Sequence, residues 1–417
     1  MRKILNFGSL IVLCFSLQAQ RTKFDIPAVE IPDYRFMDYS HNTIQVPGKD
    51  STRLNLFFQK LDTLIEAGEG RINIVHIGGS HVQADMFSHR VRQNLDRVNG
   101  DFQTPRGLIF PFSVAKTNNP SNYRVTYSGV WNNARNVQSN RKIPLGLSGI
   151  AVYTKDPSAR INIFLNPEEN RRWNFTRLRL LGYVEDGSDS VFPVIYHHKD
   201  TIKGYFDFDT KTYLFDLPEP TDSFSAGFIQ TDIVPRSFSV HGFIPEKEAP
   251  GVVYHAIGVN GASVPSYLES EYFEQELHLL KPDLMIFAIG INDAASRDFT
   301  AESFYSNYNS LIEKINRVNP NCAYIFITNN DSFRRISRNN YRVNPNGTVA
   351  RKVFYRLAEE HQGGVWDFFS LMGGLSSMQR WQTAGLARAD KVHFTKDGYL
   401  LIGDLFYNAL VDYYKSK

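Results

Sequence analysis

Residues Arg71–Asp85, RINIVHIGGSHVQAD, join two halves of different periodicity. The first half is a short apolar run, with Ile72, Ile74, Val75 and Ile77 closed by Gly78 and Gly79, which reads as a buried strand. After Ser80, the apolar residues Val82, Met86, Val91 and Leu95 fit a helix. A strand that turns directly into a helix is the opening unit of an α/β domain. Ser80 stands at the junction, where its hydroxyl is exposed and the helix N-terminus favours developing negative charge. Taken alone, a serine there is more simply an N-cap.

Upstream, RLNLFFQKLDTLIEAG places Leu54, Phe57, Phe58, Leu61, Leu64 and Ile65 on one helical stripe that ends near Gly68 and Gly70. Residues 20–52, with Pro27, Pro32 and Pro47, read as an extended arm. Downstream, between residues 112 and 250, segments such as YRVTYSGVW, ARINIFL, RLRLLGYV and FPVIYHH alternate with period two, and turn residues separate them. This region predicts an inserted all-β sandwich. From residue 251 the strand and helix alternation resumes through GVVYHAIG, DLMIFAIG, CAYIFIT and GGVWDFF, with helices between and after them. Residues 53–111 and 251–417 therefore predict one α/β domain, a three-layer α/β/α parallel sheet whose crevice lies at the carboxyl ends of the strands.

With 46 Lys and Arg against 43 Asp and Glu, the formal charge is +3, too balanced for the basic surface that nucleic acid requires. Arg2 and Lys3 precede an apolar stretch from Ile4 to Leu17, followed by Ala19. Residues 1–19 read as a cleavable signal peptide, which implies a periplasmic or secreted protein. The stretch is shorter than the ~20 apolar residues of a membrane span, and no later segment is long and apolar enough, so no integral membrane segment is expected after cleavage. Cleavage would also remove Cys14 and leave Cys322 as the one thiol, so no intramolecular disulfide is expected.

A serine hydroxyl is a weak nucleophile at neutral pH and needs an imidazole base, itself oriented by a carboxylate. Asp390 and His393 supply a D-x-x-H pair in DKVHFTKDG, after the last strand and before the last helix, at the crevice edge where Ser80 should lie. Asp38 and His41 repeat the spacing in the arm, away from that edge. The segment HAIGVNGAS offers Gly258 and Gly261, whose backbone N–H groups can approach a ligand closely, and AIGINDA offers the amide of Asn292. His81 follows Ser80 and is a possible substrate contact, as is Gln83. His76, His255 and His278 lie inside strands or a helix and read as structural. The adjacent His197 and His198 fall in a strand of the insertion, where neighbours point to opposite faces, so no metal is expected there. A G-x-S-x-G elbow is absent, since Gly79, Ser80 and His81 are followed by Val82.

Taken in order, GGSHVQAD, AIGVNGAS, GINDA and DKVHFT resemble the four sequence blocks of the SGNH, or GDSL-like, hydrolases. The resemblance implies a flavodoxin-like hydrolase fold, with Ser80 as nucleophile, His393 as base and Asp390 as its orienting acid. The Ser80 N–H, the Gly261 N–H and the Asn292 amide would form an oxyanion hole, and no cofactor is implied. The GSH-type first block, RGLIFPF, the inserted β region and WDFFSLMGG are similar to bacterial peptidoglycan O-acetylesterases. That likeness implies removal of O-acetyl groups from an O-acetylated glycan, at O6 of muramic acid. It also implies a carbohydrate-binding-module-like insertion, in which Trp131, Trp173 and Tyr123 are candidates to stack on sugar rings. Gly79 departs from the pattern, because the family usually has Asp there, and its loss is expected to loosen the Ser80 turn. Two other readings of the same residues stay open: an O-acetyltransferase acting on an envelope polysaccharide, and a catalytically degenerate glycan-binding protein.

Overall fold

In the computed structural model, residues 24, 26–96, 98, 104–165, 173–187, 190–338 and 340–417 are described. The signal peptide expected at residues 1–19, Cys14 included, lies outside them. Five parallel strands build the central sheet: Arg71–Gly78, Gly251–Gly258, Leu284–Ala288, Ala323–Ile327 and Gly364–Trp366. In space, Gly251–Gly258 is at one edge, followed by Arg71–Gly78, Leu284–Ala288, Ala323–Ile327 and Gly364–Trp366. A short strand of the arm, Ile44–Gln45, closes the far edge in antiparallel pairing.

The period of two along Arg71–Gly78 sorts its side chains between two cores. Ile72 and Ile74 join the helices Thr52–Ala67, Met86–Leu95 and Lys396–Lys415 through Leu54, Phe58, Val91 and Phe406. Val75 and Ile77 join the helices Phe273–Leu280, Ala301–Val318 and Asn346–Glu360 through Leu277, Tyr308, Ile312 and Phe354. The strands are thus apolar on both faces, as a sheet covered by helices on both sides requires. Each fully buried Leu, Ile or Phe contributes roughly 1.5–3 kcal/mol relative to exposure.

Between the first two parallel strands, residues from Arg124 to Glu246 form two antiparallel sheets, one of six strands and one of five. Aromatic side chains from the two sheets interlock, with Phe224 4.9 Å from Phe243 and Phe228 4.7 Å from Phe238 between ring centroids. The sandwich core runs without a break into the core on the helix Ala301–Val318 side of the parallel sheet. The pairing of Ile109 with Phe243 ties the segment entering the sandwich to its last strand.

Several elements differ from the sequence expectation. The helix after Ser80 is two pieces, Ser80–Gln83 and Met86–Leu95, because Asp85 between them adopts a left-handed φ of 49°. The helix expected between GVVYHAIG and DLMIFAIG is likewise split into Val264–Leu268 and Phe273–Leu280. A hairpin of Phe333–Ser337 and Asn340–Val343 interrupts the α/β rhythm. The arm is anchored along the last helix: Val29 N–H donates to Asn408 Oδ1 at 2.8 Å, and Asn408 Nδ2 donates to the Val29 carbonyl at 2.7 Å. Among the described residues, no helix is long and apolar enough to cross a membrane.

Candidate active site

The parallel register brings Gly78, Gly258 and Ala288 side by side at the carboxyl ends of three neighbouring strands. Each strand then releases one of the loops singled out above. The close approach depends on missing side chains. A Cβ at Gly258 would lie 2.3 Å from the Gln83 nitrogen, and one at Gly78 would lie 2.3 Å from Val82 Cγ2. Ser80 is therefore the first residue of a short helix seated directly on the strand ends.

The third component arrives from the far end of the chain. The Asp390–His393 loop is held by Asn330 Nδ2 donating to the Val392 carbonyl at 3.1 Å and by Phe333 N–H donating to the Lys391 carbonyl at 3.1 Å. Lys391 takes a positive φ of 56°, and the next buried residue, Phe394, packs against Trp381 and Tyr399. Ser80 Oγ then lies 2.8 Å from His393 Nε2, and His393 Nδ1 lies 2.9 Å from Asp390 Oδ2. The other Asp390 oxygen accepts from the backbone N–H groups of Val392 and His393, both at 2.9 Å. Partial burial raises the Asp390 carboxyl, but the hydrogen bonds from the His393 side chain and from these two N–H groups outweigh it. They hold the group well below the usual carboxylate range. Asp38 and His41 pair at 3.6 Å in the arm, beside the opposite edge of the sheet.

Asn292 Nδ2 donates to the Ala262 carbonyl at 2.8 Å, which ties the third strand's loop to the Gly261 loop. The same nitrogen is 3.2 Å from where a Gly79 Cβ would stand. The Asn292 amide thus packs against the backbone immediately before Ser80. Gly261 has a left-handed φ of 84°. Although Gly79 lacks the family's Asp, the Ser80 turn is braced in other ways. Tyr267 Oη donates to the Gly78 carbonyl at 2.8 Å, and the N–H groups of Val82 and Gln83 both donate to the Gly79 carbonyl.

His81 shares a 2.8 Å hydrogen bond with Tyr399 Oη, and its ring centroid is 5.3 Å from that of His393. Burial, and then the neighbouring His393, push the His81 imidazole down to about 3, so it is neutral. Four residues considered for substrate contact are instead structural. Gln83 is 2% exposed and fully engaged: Oε1 accepts from Asn260 N–H at 2.7 Å, and Nε2 donates to Thr117 and Asn118. Trp173 is 1% exposed, with the Arg92 and Arg106 guanidiniums 5.9 and 5.8 Å from its ring. Trp131 is 7% exposed and donates to the Ser128 carbonyl, while buried Tyr123 donates to the Phe110 carbonyl. Rings inside the core cannot stack on a sugar. His76 and His255 are buried structural residues as expected, the first bonded to Tyr254 Oη and the second accepting from Leu108 N–H. His197 and His198 do not point to opposite faces. The strand ends at His197, His198 has a φ of 52°, and the rings lie 4.4 Å apart.

A buried polar cluster behind the Ser80 helix carries no signal in the sequence. Asp85 accepts from Arg92, Arg106 and Asn122 Nδ2, which fastens the end of that helix to the segment leading into the sandwich. Burial raises the Asp85 carboxyl, but Arg92 and Arg106 overcome this and hold it well below the usual range. The charged types were legible. Their convergence depends on the left-handed turn at Asp85, which no periodicity announces.

The sequence model of the GDSL-like Lipase/Acylhydrolase family matches residues 222–401, a range that contains Gly261, Asn292, Asp390 and His393. The chain carries a GDSL-like acylhydrolase domain. It is a carboxylic ester hydrolase. Its fold is similar to that of a peptidoglycan O-acetylesterase, at 18% identity and a TM-score of 0.71, over 90% of this chain and 99% of that one. More partial likenesses include a lipase/acylhydrolase from Enterococcus faecalis, with 24% identity, TM-score 0.30, and 38% and 75% of the two chains covered. Another is a salicylyl-acyltransferase of a tetracycline biosynthetic pathway, with 11% identity, TM-score 0.31, and 70% and 95% covered. No curated protein matches the chain.

Within the acylhydrolase domain, Asp293 follows Asn292 and accepts from Val264 N–H at 3.2 Å on both oxygens. Burial outweighs that hydrogen bond and pushes the carboxyl from its ordinary 3.8 up to about 6. Folded Asp293 therefore holds its proton more tightly than unfolded Asp293. The stability it lends is complete below about pH 4 and is lost as pH rises through about 6. Asp293→Asn should gain stability over the native chain progressively between those values, by up to about 3 kcal/mol, and the gain should level off above about pH 7. Urea midpoints across the pH series measure this, and a difference that does not change with pH would contradict it.

Proposed function

We propose that the protein is a serine esterase that removes O-acetyl groups from an envelope glycan, most specifically from O6 of muramic acid in peptidoglycan. The observation that carries the chemistry is the continuous relay from Ser80 Oγ through the His393 ring to Asp390, with links of 2.8 and 2.9 Å. His393 Nε2 takes the Ser80 proton as the hydroxyl attacks the acetyl carbonyl, and Asp390 holds Nδ1–H and stabilises the imidazolium. The proton is then passed to the departing sugar alcohol. A water molecule deprotonated by the same imidazole releases acetate from the acyl-enzyme.

The negative oxygen of each tetrahedral intermediate is received by the backbone N–H groups of Ser80 and Gly261 and by the Asn292 amide. One amide hydrogen of Asn292 is given to the Ala262 carbonyl, which fixes the group while leaving the second available. Gln83 acts as a positioning residue, since it locks the Ser80 helix to Asn260 beside Gly261. Residues 53–111 and 251–417 form the hydrolase unit in this reading, and 112–250 form the insertion. The glycan assignment is supported by the likeness to a peptidoglycan O-acetylesterase that extends over 99% of that protein, sandwich included. Action outside the cytoplasm, with residues 1–19 as the signal, accords with it.

Acetate release from O-acetylated peptidoglycan and from an aryl acetate tests the proposal. The native chain should release acetate from both. Ser80→Ala should lower kcat by about 10⁴–10⁶-fold on each. Release from the aryl ester alone would overturn the glycan assignment, and activity retained in Ser80→Ala would overturn the mechanism. Asn292→Ala should keep the fold and lose about 10²–10³-fold in kcat, with little change in KM. An unchanged kcat would remove Asn292 from the oxyanion site.

A further inference from the structure

The strand Val191–His197 belongs to the five-stranded sheet of the sandwich, and the strand Thr212–Thr221 to the six-stranded sheet. Near one edge of the sandwich these strands bring three potential ligands together. His198 Nε2 lies 3.2 Å and His197 Nε2 lies 3.5 Å from the same oxygen, Glu219 Oε1. All three ligand atoms are within 4.8 Å of one another. The left-handed backbone at His198 makes this possible, because it returns the second imidazole to the side of the first.

The environment of His197 separates this cluster from an ordinary surface ion pair. The residue is 8% exposed, and its Nε2 has no hydrogen-bond partner among the described residues. The nitrogen lies 3.5 Å from Glu219 Oε1 but is not hydrogen-bonded to it. A buried polar nitrogen is costly to leave unpaired, which points to a ligand for it. Zinc bonds of about 2.0–2.2 Å in a tetrahedron set neighbouring donor atoms roughly 3.3–3.5 Å apart. The two separations from Glu219 Oε1, 3.2 and 3.5 Å, are close to that spacing.

We infer that His197, His198 and Glu219 form a zinc site that clasps the two sheets of the sandwich together. Two imidazoles and one carboxylate suit Zn²⁺, whereas Ca²⁺ and Mg²⁺ prefer all-oxygen shells. His198 and Glu219 are exposed, so water can complete the coordination. The site shares no residue with the Ser80, Asp390 and His393 cluster and is a cross-link between sheets, independent of the esterase reading.

Zinc chloride titrated into the full chain, without a polyhistidine tag and in competition with a chromophoric chelator, tests the site. One equivalent should bind with a micromolar dissociation constant, and excess Ca²⁺ or Mg²⁺ should not displace it. His198→Ala and Glu219→Gln alter exposed side chains and should keep the native far-UV circular dichroism and aryl-ester activity while weakening zinc binding at least tenfold. No stoichiometric binding, binding undiminished in both variants, or preference for Ca²⁺ would overturn the assignment.

Discussion

The candidate active site depends on a steric constraint: two glycines at strand ends let a helix begin where a side chain would otherwise stand. Gly78 and Gly258 end neighbouring parallel strands in register, and the helix that begins at Ser80 fills the space their Cβ atoms would occupy. Ser80 is consequently fixed relative to the sheet. A loop that packs on the same sheet through Asn330 and Phe394 can then place His393 within hydrogen-bond distance, although 313 positions separate the two residues. Hydrogen bonding across so large a separation demands rigid supports at both ends.

Those supports are polar as well as steric. Tyr267 holds the Gly78 carbonyl, Gln83 holds the loop at Asn260, and Asp85 is held by Arg92, Arg106 and Asn122. Buried charges tolerate burial only when paired and hydrogen-bonded, and removing one partner of such a cluster typically costs about 3–5 kcal/mol. Because Arg106 and Asn122 belong to the segment leading into the sandwich, that segment is part of the brace behind Ser80. The continuous hydrophobic core between sandwich and parallel sheet makes the same connection through packing. The turn around Gly79 is itself secured by several independent hydrogen bonds.

Much of this was legible in the sequence. The strand and helix series, the antiparallel middle region, and the positions of Ser80, Asn292 and the D-x-x-H loop all follow from periodicity and order along the chain. Two features that escaped share a physical origin in residues with left-handed backbone. Asp85 breaks the expected helix and creates the arginine cluster, and His198 turns two neighbouring imidazoles toward one carboxylate. Neither residue is a glycine, so neither advertises its conformation. The aromatic residues suggested for sugar stacking failed for a different reason. Period-two alternation identifies a face of a strand, but Trp131, Trp173 and Tyr123 lie outside the strands, where composition alone does not separate core from binding surface.

In the proposed mechanism His393 activates Ser80. Covalent labelling by a fluorophosphonate, with the modified residue located by mass spectrometry, probes that activation. Ser80 should be modified stoichiometrically in the native chain and left unlabelled in a folded His393→Ala variant. Labelling at another residue, labelling of Ser80 that persists without His393, or no labelling of the folded native chain would contradict it.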